Sequence, residues 1–255
     1  MKSEVMKNRI RVVLVGAGRT GKEVRRRIES TENMELLAVV TQQEKSENSI
    51  ASIRQLKQAP DVIIDFSKTE RLEEILEYAQ EHHIPLVLGT TGYGDSQKEK
   101  IIVASEKLPI VYTSNFSLGI TILKQILSQI TPILKEEFDI EVEEMHHSGK
   151  LDAPSGTTNM LLETLNQGNE YELIYGRNGN KKRGKEIGVH SLRGGTIAGQ
   201  HNIIYAGEDE ILQISHQAHS NTIFAKGAVR AAEFISSQKS GLYDMNDVLF
   251  ERDKG

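Results

Sequence analysis

Residues 10–15 form a β-branched apolar run that stops at glycine, the pattern of a strand buried on both faces of a parallel sheet. Residues 22–30 place Val24 and Ile28 on one side, which predicts a helix, and residues 35–40 read as a second strand. Three further apolar runs, within 61–67, 85–92 and 108–117, each read as a strand passing into a loop; a helix is expected over 70–82. Residues 138–145 switch to strict alternation, predicting a strand with Ile140 and Val142 buried and its carboxylates pointing away. A helix is expected to begin near Thr158. Residues 197–204 and 210–215 alternate as strands, and 224–237 reads as a last helix. The segment 176–188, rich in Gly, Asn, Lys and Arg, reads as a mobile loop.

Between the first strand and its helix lies Gly16-Ala17-Gly18-Arg19-Thr20-Gly21. In a βαβ setting each glycine has a job. The first permits a tight turn, the second lets backbone approach a pyrophosphate, and the third lets helix pack close to strand. The helix N-terminus then offers free N–H groups to the phosphates. The front half is therefore expected to be an α/β dinucleotide-binding fold. No acidic residue ends the second strand, where the chain reads Thr41-Gln42-Gln43-Glu44-Lys45. An acid there would bind the ribose 2′-hydroxyl of NAD and repel the phosphate of NADP. Its absence, with Arg19 and Lys45 nearby in sequence, favours NADPH, with NADH tolerated. The alternative is that Glu44 reaches back to take the acidic role. The later strands end in Asp65-Phe66-Ser67, Gly89-Thr90-Thr91-Gly92 and Thr113-Ser114-Asn115-Phe116-Ser117, small, hydroxyl and amide residues suited to a flat nicotinamide carboxamide or to turn chemistry alone.

The densest chemistry lies at 144–157, Glu-Met-His-His-Ser-Gly-Lys-Leu-Asp-Ala-Pro-Ser-Gly-Thr. His146 and His147 end a strand and point to opposite faces if it continues. Lys150 follows across Gly149. Ser155 or Thr157 can cap the next helix, making an anion site that Lys150 reinforces. A segment built this way suits a carboxylate. Histidine titrates near neutrality and suits proton donation. A metal role for the histidines lacks a further ligand cluster and an H-E-x-x-H helix. A nucleophilic Ser155 lacks a nucleophile-elbow context.

Composition limits the rest. The 255 residues suffice for one large or two modest domains, and 38% apolar with 26% charged content fits a packed core. A net charge of −5 gives no reason to expect nucleic acid or an anionic membrane as partner, so an anionic substrate must be met by local cations. Absence of cysteine excludes disulfides and thiolate chemistry. The apolar run after residues 1–11 is too short for a signal peptide or a membrane span, so a cytoplasmic protein is expected.

The 144–157 segment resembles the signature of the dihydrodipicolinate reductases (4-hydroxy-tetrahydrodipicolinate reductases) of lysine and diaminopimelate biosynthesis. Residues 16–21, 65–67, 89–92, 115–117, 193–195 and 224–232 also resemble that family, so the likeness covers nearly the whole chain. It implies an NAD(P)H-dependent oxidoreductase passing hydride to a cyclic unsaturated imine dicarboxylate, without a metal. By motif, His146 is the implied proton donor and Lys150 its partner at the ring. His147, Ser155, Gly156 and Thr157 are the implied carboxylate site. Gly16, Ala17, Gly18, Arg19, Thr20, Gly21, Gly89, Thr90, Thr91, Thr113, Ser114, Asn115 and Phe116 are the implied cofactor residues. The implied fold is a Rossmann-like domain over 1–117 with 222–255, plus an α+β substrate and oligomerisation domain over 118–221 with an open mixed sheet. The implied assembly is a homotetramer. The chain departs from the family pattern in its short segment before Asp61, in Thr20 for a methionine, and in Asn221 where an arginine is expected. Two other readings stand beside this one: another imine or amino-acid oxidoreductase on the same scaffold, and a non-catalytic NADP(H)-binding regulator. An intact His146 and Lys150 speak against the regulator.

Overall fold

A computed structural model describes residues 9–42 and 48–250. The chain divides into two compact units, 1–118 with 222–255, and 119–221. In chain order the elements are β1 (Ile10–Val15), α1 (Arg19–Glu29), β2 (Met34–Val40), β3 (Ser49–Ile50), β4 (Val62–Asp65), α2 (Leu72–His82), β5 (Leu86–Leu88), α3 (Asp95–Ser105), β6 (Pro109–Tyr112), α4 (Leu118–Leu134), β7 (Asp139–His146), α5 (Gly156–Leu165), β8 (Glu172–Tyr175), β9 (Glu186–Arg193), β10 (Gly199–Ala206), β11 (Ile211–Ala218), α6 (Thr222–Ile235), β12 (Gly241–Tyr243) and α7 (Met245–Phe250).

The first unit holds a parallel sheet in the order β12-β6-β5-β4-β1-β2-β3. Its strands are continuously apolar because both faces are covered. Val12, Leu14, Val62 and Ile64 pack with α1, α6 and α7 on one side. Val13, Val15, Ile63 and Leu86 pack with α2 and α3 on the other. The strand order reverses between β1 and β4, the switch point at which ligands bind in open α/β sheets. This is the Rossmann-like architecture that the front-half pattern predicts.

Two glycines make that switch point possible. Gly16 has φ +103°, and a Cβ on it would collide with the Phe66 carbonyl after β4. Gly21 sits inside α1, where a Cβ would strike the Gly16 carbonyl. The helix therefore starts at Arg19, three residues before the expected Lys22, and runs directly out of the turn.

The second unit is a mixed sheet in the order β11-β10-β7-β9-β8. β10 pairs antiparallel with β7 and β11, while β9 pairs parallel with β7 and β8. One face carries Ile140, Val142, Ile187, Val189, Ile203 and Tyr205, buried with residues of α4 and α5. The 176–188 segment differs from expectation at its end. Glu186, Ile187 and Gly188 belong to β9 and are buried, and Arg183 pairs with Asp139 at 2.8 Å and with Glu141.

Candidate active site

The apolar face of the second sheet changes character along the strands. Residues 140 and 142 of β7 are aliphatic, and the next two positions of the same parity are Glu144 and His146, both buried. Parity continues across the sheet through paired residues: Glu144 opposes Ser191 and His201, His146 opposes Arg193, and His201 opposes His216. One end of the face is hydrocarbon and the other is a cluster of ionisable groups. The expectation that all the carboxylates of β7 point away is thus corrected at Glu144, which is 0% exposed. Its burial is tolerable because Arg193 meets it with two parallel hydrogen bonds, Nη1 to Oε2 at 2.9 Å and Nη2 to Oε1 at 2.7 Å.

His146 Nδ1 lies 2.6 Å from Glu144 Oε2. The strand ends there. The His146 carbonyl accepts from Gly194 N at 2.9 Å, and Ser148 N donates to the Gly195 carbonyl at 3.2 Å. The chain then turns back through Lys150, whose ammonium donates to both Asp152 oxygens at 2.8 and 2.9 Å. Ser155 is the N-cap of α5, accepting from Thr158 N at 3.1 Å. Gly156 and Thr157 form the first turn, which sets their N–H groups at the positive end of the helix dipole. Ser155 N donates to Glu144 Oε1 at 3.3 Å, which joins the cap to the acid beneath His146. His147 is half-buried at the start of the turn after β7.

The charges settle one another. Burial alone would push the Glu144 carboxyl up, but Arg193, Ser191 and His146 together hold it below the usual carboxylate range. Burial pushes His146 down, against an upward pull from Glu144; Lys150 and Arg193 add to the downward push. His201 is 4% exposed, its ring 5.3 Å from that of His146, with Nε2 3.3 Å from Ser155 Oγ. Burial, with the nearby His146 and His216, takes His201 down to about 4.

In the first unit the anticipated cofactor residues lie at the C-terminal ends of β1, β5 and β6. Gly16, Ala17 and Gly18 line a cleft of about 230 Å³ with Val40, Thr41, Gln42, Phe66, Ser67, Lys68 and Arg71. The glycine turn, the positive φ at Gly16 and this cleft fit a dinucleotide. Arg19 and Thr20 begin α1, with Arg19 exposed. Glu44 and Lys45 lie outside the described residues. Among the described residues, the cations lining the cleft are Lys68 and Arg71, which come from the segment after β4 and were not foreseen from the sequence. Several hydroxyls expected to face a ligand are committed to the protein. Asp65, fully buried, accepts from Ser67 Oγ at 2.5 Å, Thr90 Oγ1 at 2.6 Å and Tyr93 Oη at 3.1 Å. Thr90 Oγ1 also accepts from Ser67 N at 2.9 Å. Gly89 lies directly under the Phe66 ring, and that ring is 5.4 Å from Phe116. Asn115 Oδ1 accepts from Ser117 N at 2.8 Å, and Thr113 Oγ1 accepts from Asn115 N at 3.2 Å. Thr91 and Ser114 are exposed.

Comparison with known proteins decides the family. A model described as dihydrodipicolinate reductase, N-terminus, matches residues 10–116, and its C-terminus counterpart matches 119–249. The chain belongs to the dihydrodipicolinate reductase family. A 4-hydroxy-tetrahydrodipicolinate reductase of Clostridium novyi (strain NT) is 38% identical over 249 residues, covering 94% of this chain and 98% of the relative. One from Brachyspira hyodysenteriae is 46% identical over 192 residues, covering 74% and 83%. The dipicolinate-bound dihydrodipicolinate reductase of Paenisporosarcina sp. TG-14 shares the fold, with a TM-score of 0.79 at 24% identity over 93% of this chain and 99% of that one.

His201 gives the second unit a measurable pH response. Its ordinary value is 6.5 and its folded value is about 4, so between these limits the unfolded chain binds the extra proton. Stability is expected to fall as pH drops from about 6.5 towards 4, by an amount on the order of 1–3 kcal/mol from this residue. Urea midpoints measured across that range should show the loss, and His201→Gln should flatten it.

Proposed function

We propose that this protein reduces 4-hydroxy-tetrahydrodipicolinate to tetrahydrodipicolinate with a nicotinamide dinucleotide, in lysine and diaminopimelate biosynthesis. The observation that carries the reading is the gathering of His146, Lys150 and the Ser155-Gly156-Thr157 turn at one end of β7, in a chain matched by the family from residue 10 to 249. The overall change consumes reduced dinucleotide and one proton, and releases oxidised dinucleotide and water.

The first unit holds the cofactor through the Gly16–Gly21 turn and the loops carrying Gly89, Thr90, Thr91 and 113–116. When bound, the dinucleotide supplies a hydride. The second unit holds the dicarboxylate. N–H groups of Gly156 and Thr157 meet one carboxylate at the helix N-terminus, with the Ser155 cap fixing the turn and His147 assisting. Lys150 brings a cation to the ring, which favours the iminium form that accepts hydride. His146 gives the proton from Nε2. Support for NADPH over NADH comes from the cleft, which Lys68 and Arg71 line together with Thr41 and Gln42, with no carboxylate among its described lining residues and with Arg71 also paired to Glu74 at 3.2 Å. A homotetramer formed through the second unit is supported by its sheet, whose face away from α4 and α5 carries exposed Leu192 and Ile211.

Steady-state kcat/KM with the enzymatically generated precursor tests reaction and cofactor together. Reduction with NADPH ahead of NADH is expected, and Lys68→Ala should cost NADPH about tenfold more than NADH, near 1.4 kcal/mol. A chain that leaves the precursor untouched but oxidises an amino acid would be a different oxidoreductase on this scaffold. His146→Gln should lower kcat by roughly 10²–10⁴-fold while KM for the dinucleotide stays near wild type; unchanged turnover would remove His146 from the proton-donor role. Sedimentation equilibrium should return the mass of four chains, and a monomer would rule out the assembly.

A further inference from the structure

Glu144 has no exposed surface, and the groups that hold it belong to the site itself. Its Oε1 accepts from Arg193 Nη2 at 2.7 Å and from Ser155 N at 3.3 Å. Its Oε2 accepts from Arg193 Nη1 at 2.9 Å and faces His146 Nδ1 at 2.6 Å. A buried carboxylate without partners would cost several kcal/mol, and the Arg193 fork is what lets it stay ionised. An ionised carboxylate can only accept hydrogen bonds. The ring nitrogen 2.6 Å away must therefore carry its hydrogen, which leaves Nε2 as the atom that gains and loses a proton. Gly199 of β10 lies beside that nitrogen, and a Cβ there would stand 3.1 Å from Nε2. Arg193 is itself anchored, donating to the carbonyls of Leu192 at 2.7 Å and Asp152 at 2.5 Å.

We infer that Glu144 and Arg193 are positioning residues which lock His146 in the Nδ1–H tautomer, present Nε2 for proton transfer, and tie that ring to the carboxylate-binding turn through the Ser155 N–H. The inference rests on the reading of His146 as the proton donor and names what makes it one. Loss of the Glu144 charge would remove the upward pull on His146 and leave three neighbours of zero or positive charge around it: Lys150 from the turn after β7, Arg193 from β9, and His201 from β10. A general acid stops working as pH rises through its pKa, so the alkaline limb of the rate profile reports this directly.

The test has two arms. Nitrogen-15 NMR of the histidine rings in the wild-type protein should show neutral His146 as Nδ1–H; a neutral Nε2–H form, or rapid exchange between the two, would overturn the lock. Glu144→Gln should lower kcat on the order of 100-fold or more and move the alkaline limb to lower pH, with KM for the dinucleotide nearly unchanged. Wild-type kcat with an unmoved limb would also overturn it. If that variant fails to fold, the wild-type tautomer decides. His146→Gln separates the two readings: full turnover there would refute the proton-donor role, while the tautomer result still reports on Glu144.

Discussion

A carboxylate buried under a histidine at the end of a sheet is the constraint around which the second unit is arranged. Glu144 cannot lie there without Arg193, and Arg193 can reach it only if β9 runs parallel to β7 in the observed register. The same acid meets the N-terminus of α5 through Ser155. A strand, the helix that follows it and a strand about fifty residues further on thus converge on two oxygen atoms. The aliphatic end of the same face, with α4 and α5 against it, supplies the hydrophobic burial that holds the strands in place.

The first unit uses a comparable device at its own sheet edge. Asp65, at the end of β4, gathers hydroxyls from the loops after β4 and β5 and sets their shape from beneath. Burial pushes its carboxyl up, and the donors around it work in the opposite direction. In both units a buried acid fixes the loops or turns that carry the candidate site. The difference is that Glu144 answers to a cation and Asp65 to neutral donors.

Features encoded over short spans were legible in the chain. The glycine turn could be placed because its meaning depends only on the strand before it and the helix after it, and the mixed second sheet follows from the family likeness of residues 144–157. What stayed hidden depends on pairing between distant strands. Parity alone would place Glu144 beside Ile140 and Val142, yet burying a charge is implausible until its partner is known, and Arg193 is 49 residues away. Lys68 and Arg71 were missed for a related reason. Attention falls on the end of β2, whereas the fold brings the segment after β4 to the same cleft. The hydroxyls of Ser67 and Thr90 read as ligand groups, and only the structure reveals the acid they serve.

The cleft has a modular construction. Its glycine floor follows β1, while its cationic wall follows β4, and the Phe66 carbonyl and Ser67 Cα press on Gly16 where the two come together. Redesign of the wall can therefore proceed by exchanging side chains at 68 and 71 without disturbing the backbone of the floor. The floor is the opposite kind of part: its atoms are backbone, its neighbours are backbone, and mutation has almost nothing there to tune.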